Sequence, residues 1–228
     1  GGTHPNNVSR GLVPLENPRA RAGICLDCHF GSADEGQFVT HRIMAAGHPR
    51  ISFELDLFTT LQQHHQEDED YRNRKSGIDS VQMWAVGQAM ALDRSLGLFA
   101  TPNRGTEGVF PEFYFFDCHS CHRRISDESD FRPTAVANPG RPIPSGMPPY
   151  NDENMIMLSA AARVVAPELA QRFDRDSRAF HQALTRDRAA AVRAAGTLQE
   201  TARAHATAFS GARIGRDQVF AIMDSITS

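Results

Sequence analysis

Apolar residues recur at helical spacing along most of the chain, and the strict alternation typical of a β-strand is nearly absent. One helix is predicted to start at Thr40 and to be interrupted at residues 47–49, where glycine and proline occur. A second is predicted to begin at the capping residue Ser52 and to end in the polar, acidic run 62–70. A third is predicted from Asp79 to about Leu96.

The two ends of the chain differ in pattern. Residues 1–39 contain three prolines among many glycines and asparagines, which predicts mostly irregular structure. Six of the 13 prolines lie in residues 132–149, so this segment is predicted to be extended and is a candidate domain boundary. Beyond it, Ala- and Arg-rich helices are predicted over residues 151–166, 167–209 and 215–226.

These patterns predict a fold that is mostly α with long irregular loops. Residues 1–150 form one predicted domain, and residues 151–228 form a C-terminal helical segment packed on it. At 228 residues with 40% hydrophobic content, the chain is long enough to bury a substantial core.

Composition narrows the class of partner. The formal charge of −3, from 24 basic and 27 acidic residues, provides no basic surface for nucleic acid. No run approaches the roughly 20 consecutive apolar residues that a membrane-spanning helix requires, so no span is predicted. The Gly1-Gly2-Thr3 start is interpreted as a processed or trimmed terminus, and the compartment has to be inferred from the cysteines.

All four cysteines lie in two Cys-x-x-Cys pairs, and a histidine follows each pair directly. This is the attachment pattern of c-type haem. Two thiols three residues apart reach the two vinyl groups on one porphyrin edge, and the adjacent histidine becomes an axial ligand of the iron. Two covalently bound haem c groups are therefore predicted, one on Cys25, Cys28 and His29 and one on Cys118, Cys121 and His122.

Three other interpretations of the cysteine pairs are weaker. With 10 histidines in 228 residues, chance placement after both pairs is improbable. The cysteine pairs of a zinc knuckle are usually about 15–20 residues apart, and these two pairs are much farther apart. Thioredoxin-like redox chemistry needs a βαβ context, which neither pair has.

The cofactor also predicts the compartment. In bacteria, haem is ligated to exported apo-protein with reduced thiols outside the cytoplasmic membrane, and the lack of any spare cysteine fits an oxidising environment. A periplasmic or secreted bacterial protein is predicted.

The sixth iron ligand determines whether a haem carries electrons or reacts with other molecules. His41 and His48 are seven residues apart, which on a continuous helix gives about 10.5 Å of rise and about 20° less than two full turns. They would share one face and serve two irons, although Gly47 and Pro49 distort the helix there. The predicted iron ligands are therefore His29, His122, His41 and His48.

Other histidines and methionines are weaker candidates for the sixth position. His64 and His65 lie in an acidic, solvated run and are reserve ligands, and His4 lies in a terminus that could fold over a haem. His181 and His205 lie among charged residues and are predicted to be exposed. The candidate methionine ligands are Met44, Met83, Met90 and Met147. Packing in the core explains Met83 and Met90 better than iron ligation does.

Several segments resemble the bacterial multihaem cytochrome c family. They are Pro14-Leu15-Glu16-Asn17-Pro18, the first haem motif, residues 41–50, Phe53-Glu54-Leu55, Phe116-Asp117-Cys118 and Gly140-Arg141-Pro142. The resemblance covers roughly residues 12–150 and implies a haem-wrapped core with distal ligands at His41 and His48. The sequence departs from many members in lacking further upstream motifs, which fits either a reduced member or a fragment of a larger protein.

The leading functional hypothesis is a carrier that relays single electrons between periplasmic or extracellular redox proteins through two bis-histidine haems of low potential. Acidic residues 67–70 are a weak candidate for docking a basic partner. The rival is a peroxidase-like dihaem enzyme with one five-coordinate haem, beside which Arg50, Arg123 or Arg124 would act. A third hypothesis is a haem-bearing subunit whose C-terminal helices bind a partner.

Overall fold

The computed structural model describes residues 4–51, 53–63, 66–75, 79–102, 111–122, 143 and 147–227. Most of these residues are helical, and the described ranges contain no β-strand, only an isolated antiparallel bridge between Phe116 and Tyr150. The prediction of a mostly α fold is confirmed. No helix within these ranges is long and apolar enough to cross a membrane.

The α-helices of the described residues are numbered in chain order. They are α1 (His4–Val8), α2 (Pro18–His29), α3 (His41–Ala45), α4 (Leu55–Leu61), α5 (Glu69–Arg74), α6 (Ser80–Ala100), α7 (Glu153–Val165), α8 (Pro167–Leu184), α9 (Arg188–Ser210) and α10 (Arg216–Thr227). Two short 3₁₀ helices, Phe113–Phe115 and Cys118–Ser120, lie at the second cysteine pair.

The central element is α6, against which α9, α2, α7 and α4 pack. Its start is fixed by Asp79, whose carboxylate accepts hydrogen bonds from the backbone N–H groups of Val81 and Gln82. Leu92 and Leu96 are at most 1% exposed, and burying such a side chain contributes about 1.5–3 kcal/mol. The predicted third helix is therefore present and continues four residues past Leu96.

The C-terminal region contains a break that its sequence pattern did not predict. The single helix expected over residues 167–209 is wrong, because α8 ends at Leu184 and α9 begins at Arg188. The Asp187 carboxylate accepts a hydrogen bond from the Ala190 N–H and thereby starts a new helix. The two helices fold back on each other, and Phe209 joins Leu92 in one hydrophobic core.

The prediction of mostly irregular structure over residues 1–39 is wrong for α2. Asn17 caps this helix by accepting hydrogen bonds from the N–H groups of Arg19 and Ala20. Pro18 occupies the first helical position, where its missing N–H costs no hydrogen bond. Because α2 packs on α6, its buried residue Leu26 belongs to the central core.

The second predicted helix begins later than expected. It starts at Leu55, with the Glu54 carboxylate as its cap, whereas the predicted cap Ser52 lies outside the described residues. The acidic run after it also contains a short helix, α5, which Asp68 caps through the Tyr71 N–H.

Close approach of α4 to α6 depends on Gly87, because a Cβ built there would lie 2.6 Å from the Leu55 Cβ. We expect Gly87→Ala to destabilise the fold by about 1–2 kcal/mol, since the clash outweighs the higher helix propensity of alanine. Gly196 in α9 has open space at its Cβ position, so Gly196→Ala is the matched control and is expected to be neutral or stabilising. Urea unfolding midpoints of both variants test the difference, and a Gly87→Ala protein as stable as wild type would contradict it.

His181 and His205, predicted to be exposed, are buried at 2% and 0% exposure. Each ring donates through Nδ1 to the carbonyl four residues earlier in its helix, at 2.8 Å in both cases. Charged neighbours such as Arg178 and Arg203 are exposed on α8 and α9, whereas these two rings turn inward, as does the carboxylate of Asp176. His205 packs between Phe173 and Phe209.

Burial lowers the pKa of His205 below its usual value. The unfolded chain therefore binds this proton more readily, so the contribution to stability is complete above about pH 6.5 and is lost as the pH falls below it. We expect His205→Gln to lose less stability than wild type between pH 7.5 and pH 5, measured by urea unfolding. His119→Gln, at a side chain 90% exposed, is the control, and equal pH dependence in wild type and His205→Gln would contradict the expectation.

Candidate haem sites

The first cysteine pair lies in the last two turns of α2. Cys25, Cys28 and His29 are spaced by three and four residues, so they share one face of the helix. All three line an open cavity of about 180 Å³.

The far wall of this cavity comes from α4 and the residues before it. The His29 ring lies 4.9 Å from the Phe53 ring and 5.2 Å from the Phe58 ring, between centroids. Leu55 completes the apolar wall, and the other lining residues on this side are Thr59, Gln62 and Gln63. A porphyrin face requires such apolar and aromatic surroundings, so the residues fit the predicted group.

The two thiols of the first pair are both free, as haem attachment requires. Burial raises the pKa of the Cys25 thiol, while the neighbouring Arg21 guanidinium opposes that rise. Cys25 is therefore a protonated thiol at neutral pH.

A buried ion pair lies in the same cavity wall. The Arg21 guanidinium is 2.7 Å from the Glu67 carboxylate, with side chains only 4% and 13% exposed. Arg21 also donates through Nε to the Leu15 carbonyl at 2.7 Å. Glu67, which the sequence placed among solvated acidic residues, is thus half-buried and paired, and the docking role considered for residues 67–70 does not apply to it.

The second cysteine pair lies on the surface. Cys118, Cys121 and His122 are all exposed, in and directly after a 3₁₀ turn capped by the Asp117 side chain. The Asp117 N–H donates to the Pro149 carbonyl at 2.9 Å, which fixes this turn beside the start of the C-terminal segment.

His41 lies beside the histidine of the second pair. The ring centroids of His41 and His122 are 6.0 Å apart, and the planes are inclined by 36°. Two imidazoles on opposite sides of one metal, at about 2 Å per metal–nitrogen bond, have centroids roughly 6 Å apart. The distance between the two rings therefore fits a pair of histidines that would hold one haem iron.

The position of His41 is set by Glu112, a buried residue that the sequence did not single out. One carboxylate oxygen accepts from the His41 N–H at 2.8 Å and the other from the Tyr114 N–H at 2.6 Å. The His41 ring also contacts the Phe113 ring edge-on at 5.3 Å. One carboxylate thus joins α3 to the chain entering the second motif.

His48 is placed differently from the prediction. The shared helix face expected for His41 and His48 is wrong, because α3 ends at Ala45 and Gly47 has φ +104°. The His48 ring is exposed, with Nδ1 3.2 Å from the Pro49 carbonyl, and the ring contacts of the described residues do not join it to His29 or His122. The structure thus brings His41, but not His48, to a motif histidine.

The remaining candidates fall into three groups. His64 and His65 lie outside the described residues, as does the side chain of His4. Met83 is fully buried in the core, and Met44 and Met90 pack against that core. Arg50 lies over the Tyr114 ring and donates to the Tyr114 carbonyl, whereas Arg123 and Arg124 lie outside the described residues.

The described aromatic residues before the second motif, Phe113–Phe116, lie in two different environments. Phe115 is 1% exposed and packs with Phe99 and Tyr150 in the core, while Phe113 is 48% exposed beside His41. Among the described aromatic residues of this segment, Phe113 contacts the candidate ligand His41.

Comparisons of this chain with protein-family models, with curated proteins and with solved structures find no significant match.

Proposed function

We propose that this chain is a dihaem c-type cytochrome that relays single electrons between redox proteins in the periplasm or outside the cell. The observation that carries the proposal is the 6.0 Å approach of His41 to His122, which places a second imidazole beside the histidine of an attachment motif. A haem iron with two imidazole ligands has no open position, so it exchanges electrons without binding substrate.

Each site has a defined set of holding residues. Cys118 and Cys121 would hold the second haem covalently, and His122 and His41 would hold its iron. Cys25, Cys28 and His29 would hold the first. When bound, each haem supplies a one-electron ferric/ferrous couple.

The chain's own residues orient and shield these groups. Glu112 holds the backbone of His41 in place, and Phe113 covers one edge of its ring. Phe53 and Phe58 flank His29 and keep water from that side of the first cavity. Such surroundings tune a haem through burial and ligand orientation.

The difference in exposure between the sites supports a relay. The second motif is exposed, so a haem edge there would be accessible to a partner protein, while the first cavity is partly enclosed. Extracytoplasmic localisation is proposed because haem is ligated to exported chains and no cysteine lies outside the two motifs.

The proposal is tested on protein produced with a bacterial haem-ligation system. We expect the intact mass to contain two haems. In a variant with serine at Cys25 and Cys28, which would keep only the haem held by His41 and His122, we expect carbon monoxide to leave the optical spectrum of the ferrous protein unchanged. In stopped-flow mixing, the ferrous wild-type protein should pass two electrons to excess ferric cytochrome c. A chain without covalent haem would contradict the proposal, and a carbon monoxide shift in the variant with serine at Cys25 and Cys28 would show an open position at the second haem and favour the peroxidase-like enzyme instead.

A further inference from the structure

The first cavity has one charged pair in a wall that is otherwise mostly apolar. Arg21 lies one helical turn before Cys25 on α2, and Glu67 comes from the segment between α4 and α5. The guanidinium is 2.7 Å from the carboxylate, and both side chains line the cavity together with Cys28 and His29.

The placement of this pair is unusual for a purely structural ion pair. Replacing a buried pair with apolar residues often leaves a fold equally stable or stabilises it, so burial alone does not explain the presence of Arg21 and Glu67. Charges that are poorly screened by water act strongly on a neighbouring group whose own charge changes.

We propose that the Arg21–Glu67 pair sets the reduction potential of the haem at the first motif, with Arg21 favouring the ferrous state and Glu67 acting as its counter-charge. This inference rests on the proposed function. The haem iron gains one electron and loses one unit of positive charge, and no bond forms or breaks. The electron comes from a redox-partner protein, or in the experiment from an electrode through small one-electron mediators.

Removing the charge of Arg21 and removing the charge of Glu67 should shift the midpoint potential of the first haem in opposite directions. A nearby cation favours the less positive ferrous centre, and a nearby anion favours the ferric centre. Glu67→Gln leaves the Arg21 charge uncompensated and should raise the midpoint potential of the first haem. Arg21→Gln leaves the Glu67 charge uncompensated and should lower it. The double variant Arg21→Gln/Glu67→Gln should return towards wild type.

The experiment is spectroelectrochemical titration of the two-haem protein at neutral pH. Each single substitution is expected to change the equilibrium constant for reduction of one haem by about tenfold, which is about 59 mV for a one-electron couple. The haem at the second motif should keep its wild-type potential. Asp93→Asn is the matched control, because Asp93 forms a 2.9 Å ion pair with Arg203 that lies outside this cavity.

The outcomes separate the inference from the function on which it rests. Two attached haems with unchanged potentials in both single variants overturn the inference alone, and so do shifts of the same sign, because a loosened cavity would move both variants together. Absence of haem at the first motif in the wild-type protein overturns the proposed function as well. If Arg21→Gln does not fold, Glu67→Gln decides the question together with Arg21→Lys/Glu67→Gln, which keeps a cation at position 21. A raised potential of the first haem in both variants supports the inference, and an unchanged or lowered potential in Glu67→Gln overturns it.

Discussion

Serine in place of both cysteines of the first motif (C25S/C28S) is expected to remove one of the two covalent haems and to destabilise the fold. The cavity at this motif is walled by Phe53, Leu55 and the α2 helix, which also belong to the central core. Loss of a group from such a cavity costs the lost contacts as well as the void left behind, so we expect more than about 3 kcal/mol. Intact mass and the urea unfolding midpoint measure the two effects.

The matched variant C118S/C121S should also lose one haem but less stability. Its motif lies on the surface, and neither cysteine packs in the core. Equal losses of stability in the two double variants would show that the first cavity is not where a haem supports the core. Two haems remaining in either variant would exclude thioether attachment at that motif.

Alanine at position 41 is expected to convert half of the haem from low spin to high spin. His41→Ala removes the imidazole 6.0 Å from His122, so the second haem would be left with one axial ligand and an open position. The ferrous variant should then bind carbon monoxide at that haem. Optical and electron paramagnetic resonance spectra measure the change, and a fully low-spin His41→Ala protein would exclude His41 as a ligand.

His48→Ala is the companion variant, because the sequence predicts both histidines as ligands while only His41 lies beside a motif histidine. We expect His48→Ala to leave the second haem unchanged. Conversion of the first haem to high spin would identify His48 as its ligand, and an unchanged spectrum would exclude His48 from both irons.

The sequence predicted a helix correctly where a capping residue stands directly before a long apolar run. The start of α6 was predictable because Asp79 stands directly before a long apolar run. The α2 helix was missed because Pro18 and nearby glycines suggest a loop, although proline is favoured at a first helical position. The break before α9 was missed because Asp187 lies among other charged residues and its capping role appears only in three dimensions.

The attachment residues could be proposed from the sequence because the expected chemistry is contained in five consecutive residues. Their surroundings could not be proposed in this way, since Glu112 is 71 positions away from the His41 backbone it fixes, and Glu67 is 46 positions (67 − 21 = 46) from Arg21, with which it pairs. The sequence pattern of the acidic residues 67–70 does not distinguish Glu67, whose carboxylate turns inward, from its neighbours. Long-range pairing of this kind is determined by how α2, α4 and the central helix pack.

The approach of His41 to His122 has a topological consequence. These residues are 81 positions apart (122 − 41 = 81), so one iron bound by both would close a loop that includes α4, α5 and α6. Such a bond restricts the unfolded chain as a disulfide does, and the chain-entropy estimate for a loop of this length is roughly 4–5 kcal/mol. Unlike a disulfide, this cross-link would open whenever another ligand displaces His41 from the iron.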